Sequence, residues 1–450
     1  MSVLIADSYF QKGEYEHAMS MYEALISNEG SRDSENELMY YKIKKVRCYI
    51  GLGRLDDAYT WAENDGLLAV RAEVCYYLCQ AYRERGEHAK AYNLYKLGSI
   101  VPTPTGHYID TEVYKYGIDF EGSILTFYVS QDHTQGLLLS YKVLSIPDLP
   151  HTISQCVHDN LPFYTRSIGG TVVSSKPVEY ETGWYYTTPS LSNCGALVYR
   201  IVNYTITPNG GYVVHSKDGV VRTKNLLEGH GLLHVTQPQV QNNMPVEGLE
   251  DVRLVRHAST LYGLAASWEF SHVPRVVSQV LFRIDVPNLT VDVLGILSTG
   301  SRAEKNWCWA GFPFIIYSWY PHVVVLRLQL EETPRVITDH LIESIPVMRY
   351  FRGSSNGVLF KNQWWFVTHS VVDKRHSIRQ YLHYLVVLDE PLNNVLRVSF
   401  PFTFEQDADI EFCTALGVSE ECLEIGYSVR DGSPCFRQIP WSDIDQLWPR

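Results

Sequence analysis

Five short apolar segments recur after residue 190, and they constrain the fold of this part of the chain most strongly. They are GALVYRIVNY, LYGLAASWEF, PFIIYSWYPH, WWFVTHSVVD and LEIGYSVRDG. When Arg200, Ser267, Ser318, His369 and Ser428 are superposed, the successive segments lie 67, 51, 51 and 59 residues apart. The strands of a β-sandwich return at much shorter intervals, whereas a long regular unit fits four-stranded propeller blades. We therefore predict an all-β propeller of five blades, with polar groups from every blade converging at its axis.

The first hundred residues follow a different period. A Gly is followed five residues later by an Ala at Gly13 and Ala18, and the same pair recurs 40 and then 33 residues further on. In tetratricopeptide repeats, Gly closes the tight turn and the small Ala lets paired helices approach. The segment SIPDLP, with two prolines, then interrupts the helical pattern. The fold class predicted is thus a multidomain α + β chain, with a tetratricopeptide-like helical domain over residues 1–160 and a five-bladed β-propeller over 161–450.

Charge and composition argue against several classes of partner. The chain has 50 acidic and 38 basic residues, hence a formal net charge of −12. No basic stripe interleaved with aromatics stands out, so nucleic acid is not predicted as a ligand. There is no apolar run long enough to span a bilayer and no signal-peptide pattern, so we expect a soluble, cytoplasmic protein. The nine cysteines include no C-x-x-C pair, and neither a metal nor a cofactor is predicted.

Aromatic residues make up 13% of the chain and most of them lie after residue 160. Aromatic side chains suit β-strands, where they pack across neighbouring strands. An exposed aromatic can also form a stacking surface for a planar ligand or a sugar. Packing within the β core is the expected role of most of them.

Several motifs of the β half occur in the order found in one enzyme family. GLEDVRL is similar to a Glu-Asp-Pro-Arg motif, and GVLFKNQWWFVTHSV resembles a glycine-rich segment ending in Tyr-His-Gly-Val. IEFCTAL and LEIGYSVRDG resemble a closing pair in which a Glu strand precedes Tyr-Gly-x-x-Asp. Together they resemble the β-mannoside phosphorylases and propeller β-mannosyltransferases of glycoside hydrolase family 130. The resemblance covers residues 185–440 and implies the same five-bladed propeller.

The resemblance implies roles for the acidic motif and for two further sugar contacts. Asp251 corresponds to the general acid, which protonates the leaving oxygen and does so through a sugar hydroxyl in the phosphorylases. Arg200 corresponds to an Arg of the first blade that lines the sugar site, and Asp431 corresponds to an Asp that binds sugar hydroxyls. Glu250 and Arg253, which flank Asp251, are predicted to complete the sugar-binding set.

A second implied set would hold the phosphate or the activated donor. Lys305 and Asn306 match a pair formed by a basic residue and Asn, and His369 matches a His that contacts phosphate. The sequence also departs from the family, because Val252 replaces the Pro of the acidic motif. An expected Arg-Pro clamp is replaced by residues 318–321, which contain no cation, and a Lys expected near GSSNGV is missing.

Structural alternatives stay open for these residues. Asp251 in a strand entry can pair locally with Arg253, and the sequence RDGS around Asp431 favours a turn. His369 lies in an apolar segment and is compatible with a buried core histidine. Glu411 is either a second catalytic carboxylate or a structural acceptor, and we favour the structural role.

The two missing cations weaken the case for free inorganic phosphate as a substrate. The sequence therefore predicts a glycosyltransferase that moves a sugar, mannose by resemblance, to a glycan acceptor. The donor would be a sugar nucleotide or a sugar phosphate, held by basic residues. The alternatives are a β-mannoside phosphorylase or glycoside hydrolase, or a non-catalytic scaffold that reads a glycan and recruits a protein partner through the helical repeats.

Overall fold

The computed structural model describes residues 2–28, 35–130, 132–236, 246–271, 273, 276–299, 304–374, 378–406 and 409–449. The chain divides into two compact units, Met1–Tyr164 and Thr165–Arg450. The first unit is helical and the second is rich in β-strands. No helix in the described ranges is both long and apolar enough to cross a membrane.

In the helical unit, helices that follow one another in the chain pack against each other. Its α-helices are α1 (Val3–Gln11), α2 (Tyr15–Ser27), α3 (Glu35–Gly51), α4 (Leu55–Asn64), α5 (Ala72–Glu84), α6 (His88–Ser99), α7 (Ile118–Val129), α8 (His133–Leu144) and α9 (His151–Asn160). The SIPDLP break separates α8 from α9, and the helical unit continues beyond it to Tyr164.

The repeated Gly and Ala positions have the local geometry that their spacing predicts. Gly13 lies in the turn between α1 and α2 with a φ of 78°, a left-handed conformation that Gly adopts without steric cost. Gly53 and Gly86 occupy the turns after α3 and α5 with φ values of 73° and 82°. The three alanines that follow them are fully buried. The assignment of these helices to the tetratricopeptide class stays a prediction.

The β unit contains short strands throughout. They are β1 (Arg166–Ser167), β2 (Thr171–Ser175), β3 (Glu179–Glu181), β4 (Trp184–Leu191), β5 (Leu197–Val202), β6 (Tyr204–Ile206), β7 (Tyr212–Val214), β8 (Val221–Leu227), β9 (Gly231–Leu232), β10 (His234–Val235), β11 (Val246–Glu247), β12 (Glu250–His257), β13 (Thr260–Ser267), β14 (Ser278–Asp285), β15 (Thr290–Leu297), β16 (Cys308–Trp309), β17 (Phe314–Ser318), β18 (His322–Gln329), β19 (Arg335–Glu343), β20 (Arg352–Gly353), β21 (Val358–Phe360), β22 (Gln363–Lys374), β23 (Ile378–Asp389), β24 (Val395–Val398), β25 (Phe402–Thr403), β26 (Glu411–Val418), β27 (Cys422–Val429) and β28 (Gly432–Pro440). A short helix, α10 (Trp441–Ile444), follows β28.

Within the described residues these strands form five sheets of four or more strands and one two-stranded sheet. The strand orders are β11-β8-β5-β4-β3, β10-β15-β14-β13-β12, β16-β17-β18-β19, β1-β25-β23-β22-β20 and β2-β28-β27-β26, with β9, β21 and β24 at the sides. The separate pair is β6-β7. Because β2 pairs with β28, the two ends of the unit meet in one sheet.

The sheets have a propeller-like arrangement around a common centre. Contacts run from β4 to β12, from β12 to β16, from β17 to β20, from β22 to β26, and from β26 back to β4. The five recurrent apolar segments form β5, β13, β17, β22 and β27, and each pairs antiparallel with an inner strand of its sheet. Apolar side chains between neighbouring sheets form the core, which includes the fully buried rings of Trp307 and Trp309. The number of blades stays a prediction from the repeat.

Candidate active site

A cavity of about 520 Å³ lies in the β unit, and it is lined by side chains from strands of the large sheets and from the segments that flank them. Its volume is within the range of small-molecule binding sites. Seven of the eight site residues predicted from the sequence line it: Arg200, Glu250, Asp251, Lys305, Asn306, His369 and Asp431. These residues come from distant positions in the chain, so the fold is what brings them together.

Arg200 joins the two acidic residues of the motif. Its Nη1 donates to Asp251 Oδ1 at 2.9 Å and its Nη2 donates to Glu250 Oε1 at 2.5 Å. The side chain is only 9% exposed, so its charge needs these partners. Burial acts to lower the pKa of Arg200, but Tyr204, Glu250 and Asp251 outweigh burial and hold it well above its usual value. Burial also raises the pKa of Glu250, against the opposing effect of Arg200.

A β-bulge at the start of β12 explains how two consecutive acidic residues reach one guanidinium. Neighbouring residues of a regular strand point to opposite faces. Here the pairing between β12 and β13 shifts between Glu250 and Arg253, and Asp251 has a φ of 51°. A bulge of this kind re-aims a side chain, and Asp tolerates the left-handed region better than most residues. Both carboxylates therefore face the cavity.

The turn that precedes this bulge is fixed by a hydrogen bond to a buried glutamate. The Gly248 N–H donates to Glu269 Oε2 at 2.6 Å, and Gly248 has a φ of 103°. A Cβ at this position would lie 2.3 Å from the Thr223 carbonyl oxygen, so only Gly fits. Glu269 is buried, and burial raises its pKa. This contact fixes the path of the chain into Glu250 and Asp251.

Arg253 does not reach the cavity, which corrects its predicted role in sugar binding. Its side chain is 0% exposed, with Nε donating to the Ser354 carbonyl and Nη1 to the Asp251 carbonyl, both at 2.9 Å. The local ion pair between Asp251 and Arg253 is also not formed, because the Asp251 carboxylate is bound by Arg200. Arg253 instead braces the backbone beneath Asp251.

The position of Asp431 is compatible with both alternatives that its sequence left open. It lies in the turn between β27 and β28, where Arg430 and Asp431 have φ values of 50° and 48°. Its carboxylate also lines the cavity and accepts a hydrogen bond from the Tyr204 hydroxyl at 2.7 Å. Burial raises the pKa of Asp431.

Basic side chains occupy another part of the cavity lining. Lys305 and Asn306 lie just before β16, separated from it by Trp307, and Asn306 has a φ of 65°. Lys305 is exposed and is not paired with its neighbour Glu304, which is buried and accepts hydrogen bonds from Thr299.

Two arginines that sequence reasoning missed, Arg352 and Arg379, also line the cavity. Arg352 lies immediately before the GSSNGV segment, where a cation was expected and not found, and Arg379 lies near the start of β23. No acidic side chain in the described part of the chain forms an ion pair with Arg352 or with Lys305. Arg379 Nε is 3.9 Å from Asp373 Oδ1, and both side chains are largely exposed. These cations are available to an anionic ligand.

His369 is buried at the cavity and held in a fixed orientation. Its Nδ1 and the Ser354 hydroxyl are 2.8 Å apart, and its ring stacks on Tyr381 at 5.3 Å. Burial, together with nearby cations and His383, holds the pKa of His369 well below its usual value. The imidazole is therefore neutral at neutral pH. Its other nitrogen, Nε2, can meet a ligand without adding charge.

Aromatic side chains complete the lining. Trp268, Tyr381 and Phe412 contribute from the large sheets, while Tyr204 and Tyr212 come from the separate β6-β7 pair. No single motif marks them. Their number in the β half was visible in the sequence, but their convergence depends on the fold.

Glu411 lies outside the cavity lining. It is fully buried and accepts hydrogen bonds from the backbone N–H groups of Phe404 and Glu405 at 2.8 and 2.6 Å. Burial raises its pKa to about 7. These contacts fit the structural role favoured from the sequence. The described residues contain no cluster of His, Cys, Asp and Glu that could hold a metal ion.

Comparison with known proteins gives only distant similarities. No family model matches the chain, and no curated protein matches it. Among solved structures, it is similar to a β-1,2-mannobiose phosphorylase from Listeria innocua, with 12% identity and a TM-score of 0.39 over 60% of this chain and 94% of that chain. A mannose phosphorylase from Leishmania mexicana gives 10% identity and a TM-score of 0.36 over 66% and 96%. An α-L-arabinanase from Penicillium chrysogenum gives 12% and 0.31 over 61% and 99%. Because these neighbours are distant and differ in substrate, the function has to be inferred from the cavity.

Proposed function

We propose that the β unit is a five-bladed propeller and a carbohydrate-active enzyme that cleaves a glycoside by phosphorolysis at this cavity. The motifs around Asp251, His369 and Asp431 support a β-mannoside as the substrate, by resemblance. Inorganic phosphate is the second substrate. Release of a sugar 1-phosphate is the reaction that this lining supports best.

The observation that carries this proposal is the set of cations without close protein partners. The sequence favoured a glycosyltransferase because two phosphate-binding cations were missing. Arg352 and Arg379 supply two cations to the same cavity as Lys305, from positions that the motifs do not mark. Guanidinium groups bind phosphate through strong, charge-assisted hydrogen bonds. The reason for preferring an activated donor over free phosphate is thereby removed.

The reaction requires one proton donor and one nucleophile. A phosphate oxygen attacks the anomeric carbon, the bond between that carbon and the glycosidic oxygen breaks, and its electron pair stays on the glycosidic oxygen. That oxygen receives a proton from the Asp251 carboxyl group, directly or through a sugar hydroxyl, and the proton that the attacking dihydrogen phosphate gives up returns to Asp251. The products are a sugar 1-phosphate and a glycan one residue shorter. Because phosphate is the nucleophile, no second catalytic carboxylate is needed.

The other lining residues have supporting roles in this scheme. Arg200 holds Asp251 and Glu250 in place, and its two ion pairs leave it well ordered at the reacting sugar. Glu250, whose pKa is raised by burial, keeps its proton to higher pH than an exposed glutamate. Asp431 accepts hydrogen bonds from sugar hydroxyls, while Lys305, Asn306 and the neutral His369 contact the phosphate together with the two arginines.

The test is a comparison of cleavage with and without phosphate. Purified protein is incubated with β-linked manno-disaccharides, and sugar 1-phosphate and free sugar are quantified separately. We expect sugar 1-phosphate to accumulate only when phosphate is present. Free sugar released without phosphate would instead identify a hydrolase. Consumption of a sugar nucleotide without phosphate-dependent cleavage would identify a transferase, and glycan binding without any turnover would identify a scaffold.

A further inference from the structure

The hairpin formed by β6 and β7 is set apart from the large sheets. It is inserted between β5 and β8 of one sheet and forms its own two-stranded sheet, with Tyr204 opposite Val214 and Ile206 opposite Tyr212. The backbone of Asn203 anchors its base by accepting from the His215 N–H at 2.8 Å. The hairpin is therefore a fixed addition to the blade, placed beside the cavity.

One face of this hairpin packs inward except at Tyr212. Paired residues share a face, so Tyr204, Ile206, Tyr212 and Val214 lie on the same side. Tyr204 and Ile206 are buried, at 3% and 8% exposure, whereas Tyr212 is 58% exposed. Val213 is also exposed but lies on the opposite face and does not line the cavity. The exposed aromatic surface on the cavity side thus belongs to Tyr212.

The ring of Tyr212 packs against Tyr204, which is itself bound to the acidic part of the site. Its centroid is 5.2 Å from that of Tyr204, with the rings inclined at 53°. The Tyr204 hydroxyl is in turn hydrogen-bonded to the Asp431 carboxylate. An aromatic ring held in this way loses little conformational freedom when a ligand packs on it.

We propose that Tyr212 is the stacking platform for the sugar ring on the leaving-group side of the scissile bond, so that the substrate is a glycoside of at least two sugar rings. This inference rests on the proposed function. The reacting ring has to lie at Asp251 and Arg200, which are largely buried, whereas Tyr212 is exposed at the cavity edge. The apolar face of a sugar ring packs well on an aromatic ring, and nearby carboxylates accept hydrogen bonds from its hydroxyls.

The synthetic direction separates the two subsites kinetically. With a sugar 1-phosphate as donor and a free sugar as acceptor, Tyr212→Ala should raise the KM for the acceptor about threefold to tenfold. The KM for the sugar 1-phosphate and kcat should stay close to those of the wild type. Tyr212→Phe keeps the ring and should behave as the wild type. Val213→Ala, on the opposite face of the same hairpin, is the matched control and should change nothing.

A binding measurement keeps this inference separate from the proposed reaction. Calorimetric titration of wild type, Tyr212→Ala and Val213→Ala with a β-linked disaccharide in phosphate-free buffer should show weaker binding only for Tyr212→Ala. Such a result without any turnover would overturn the proposed phosphorolysis and support the stacking subsite. Equal binding by Tyr212→Ala and wild type, or an equal loss in Val213→Ala, would overturn the subsite. If the wild type binds no saccharide, both proposals fail.

Discussion

Two groups of charges line the same cavity and differ in how completely the protein neutralises them. The carboxylate cluster consists of Glu250, Asp251 and Arg200, in which one guanidinium binds both acids at 2.5 and 2.9 Å. The cation group consists of Lys305, Arg352 and Arg379, which line the cavity and are exposed. Among the described residues Lys305 and Arg352 form no ion pair, and Arg379 has only an exposed contact with Asp373 at 3.9 Å. The charges of the first group are neutralised within the protein, whereas those of the second group are exposed to a ligand.

This difference separates two tasks in the site. A buried pair of opposite charges is held in one geometry, which suits groups that must meet a particular bond. Exposed cations stay hydrated when no ligand is bound, and they form strong hydrogen bonds when an anion binds. We therefore assign chemistry to the carboxylate cluster and anion affinity to the cation group.

The largest effect is expected from Asp251→Asn in the carboxylate cluster. Loss of the transferable proton should lower kcat for glycoside cleavage about a hundredfold to ten-thousandfold. Asn keeps the shape of the side chain and tolerates the positive φ at this position, so the fold should persist. The KM for phosphate should change little, because the cation group is intact. Equal turnover by the variant and the wild type would show that Asp251 is not the acid.

Arg200→Ala tests whether this one guanidinium neutralises both acids of the carboxylate cluster. The substitution leaves two poorly solvated carboxylates without a partner, and we expect a loss of about 3 kcal/mol in the free energy of unfolding. Chemical denaturation followed by tryptophan fluorescence reports on the β unit, because Trp61 is the only one of the ten tryptophans in the helical unit.

The matched control for Arg200→Ala is Arg283→Ala, which removes an exposed ion pair with Asp292 on a strand of the same unit. A surface pair of this kind contributes less than about 1 kcal/mol. Equal losses in the free energy of unfolding for the two variants would show that Arg200 does not neutralise a buried cluster.

Removal of a cation should affect phosphate and leave the carboxylate cluster unchanged. Arg352→Ala and Arg379→Ala should each raise the KM for phosphate about tenfold, as expected for the loss of one charge-assisted contact. The melting temperature of the wild type should rise with phosphate concentration, since binding to the folded state stabilises it, and this rise should be smaller in both variants. Arg335→Ala, an exposed arginine paired with Glu331 away from the cavity, should leave the phosphate response intact. Wild-type phosphate responses in both cavity variants would remove the basis for phosphorolysis.

The smallest expected effect is a change in pH dependence at Asp431. Burial raises the pKa of this carboxyl in the folded protein, whereas the unfolded chain has a pKa of about 3.9. Above about pH 4 the unfolded state therefore releases this proton while the folded state retains it, so the contribution of Asp431 to stability falls as pH rises. In denaturation curves measured from pH 4 to 7, the free energy of unfolding should fall less steeply with pH in Asp431→Asn than in the wild type. An unchanged slope in Asp431→Asn would contradict the prediction.

The sequence located the carboxylate cluster better than the cation group. The short motif around Asp251 marks this residue, and Arg200 stands out as a lone Arg in an apolar strand, where its charge needs an anionic partner. Arg253 was misplaced because the bulge at Asp251 sends consecutive side chains in directions that strand alternation does not predict. Arg352 and Arg379 were missed because no motif marks them and only the fold brings their strands, β20 and β23, to the cavity.

The left-handed backbone at Asp251, Asn306 and Asp431 has a consequence for how the site can diverge among related chains. A descendant that abandons the reaction but keeps the fold should still favour Asp, Asn or Gly at these three positions, because most other side chains strain the backbone there. Arg352, which has no such backbone, is free to drift once phosphate is no longer used. In an inactive relative, loss of the activity would therefore show as loss of the cations. Asp or Asn would remain at the three left-handed positions because the backbone favours them there.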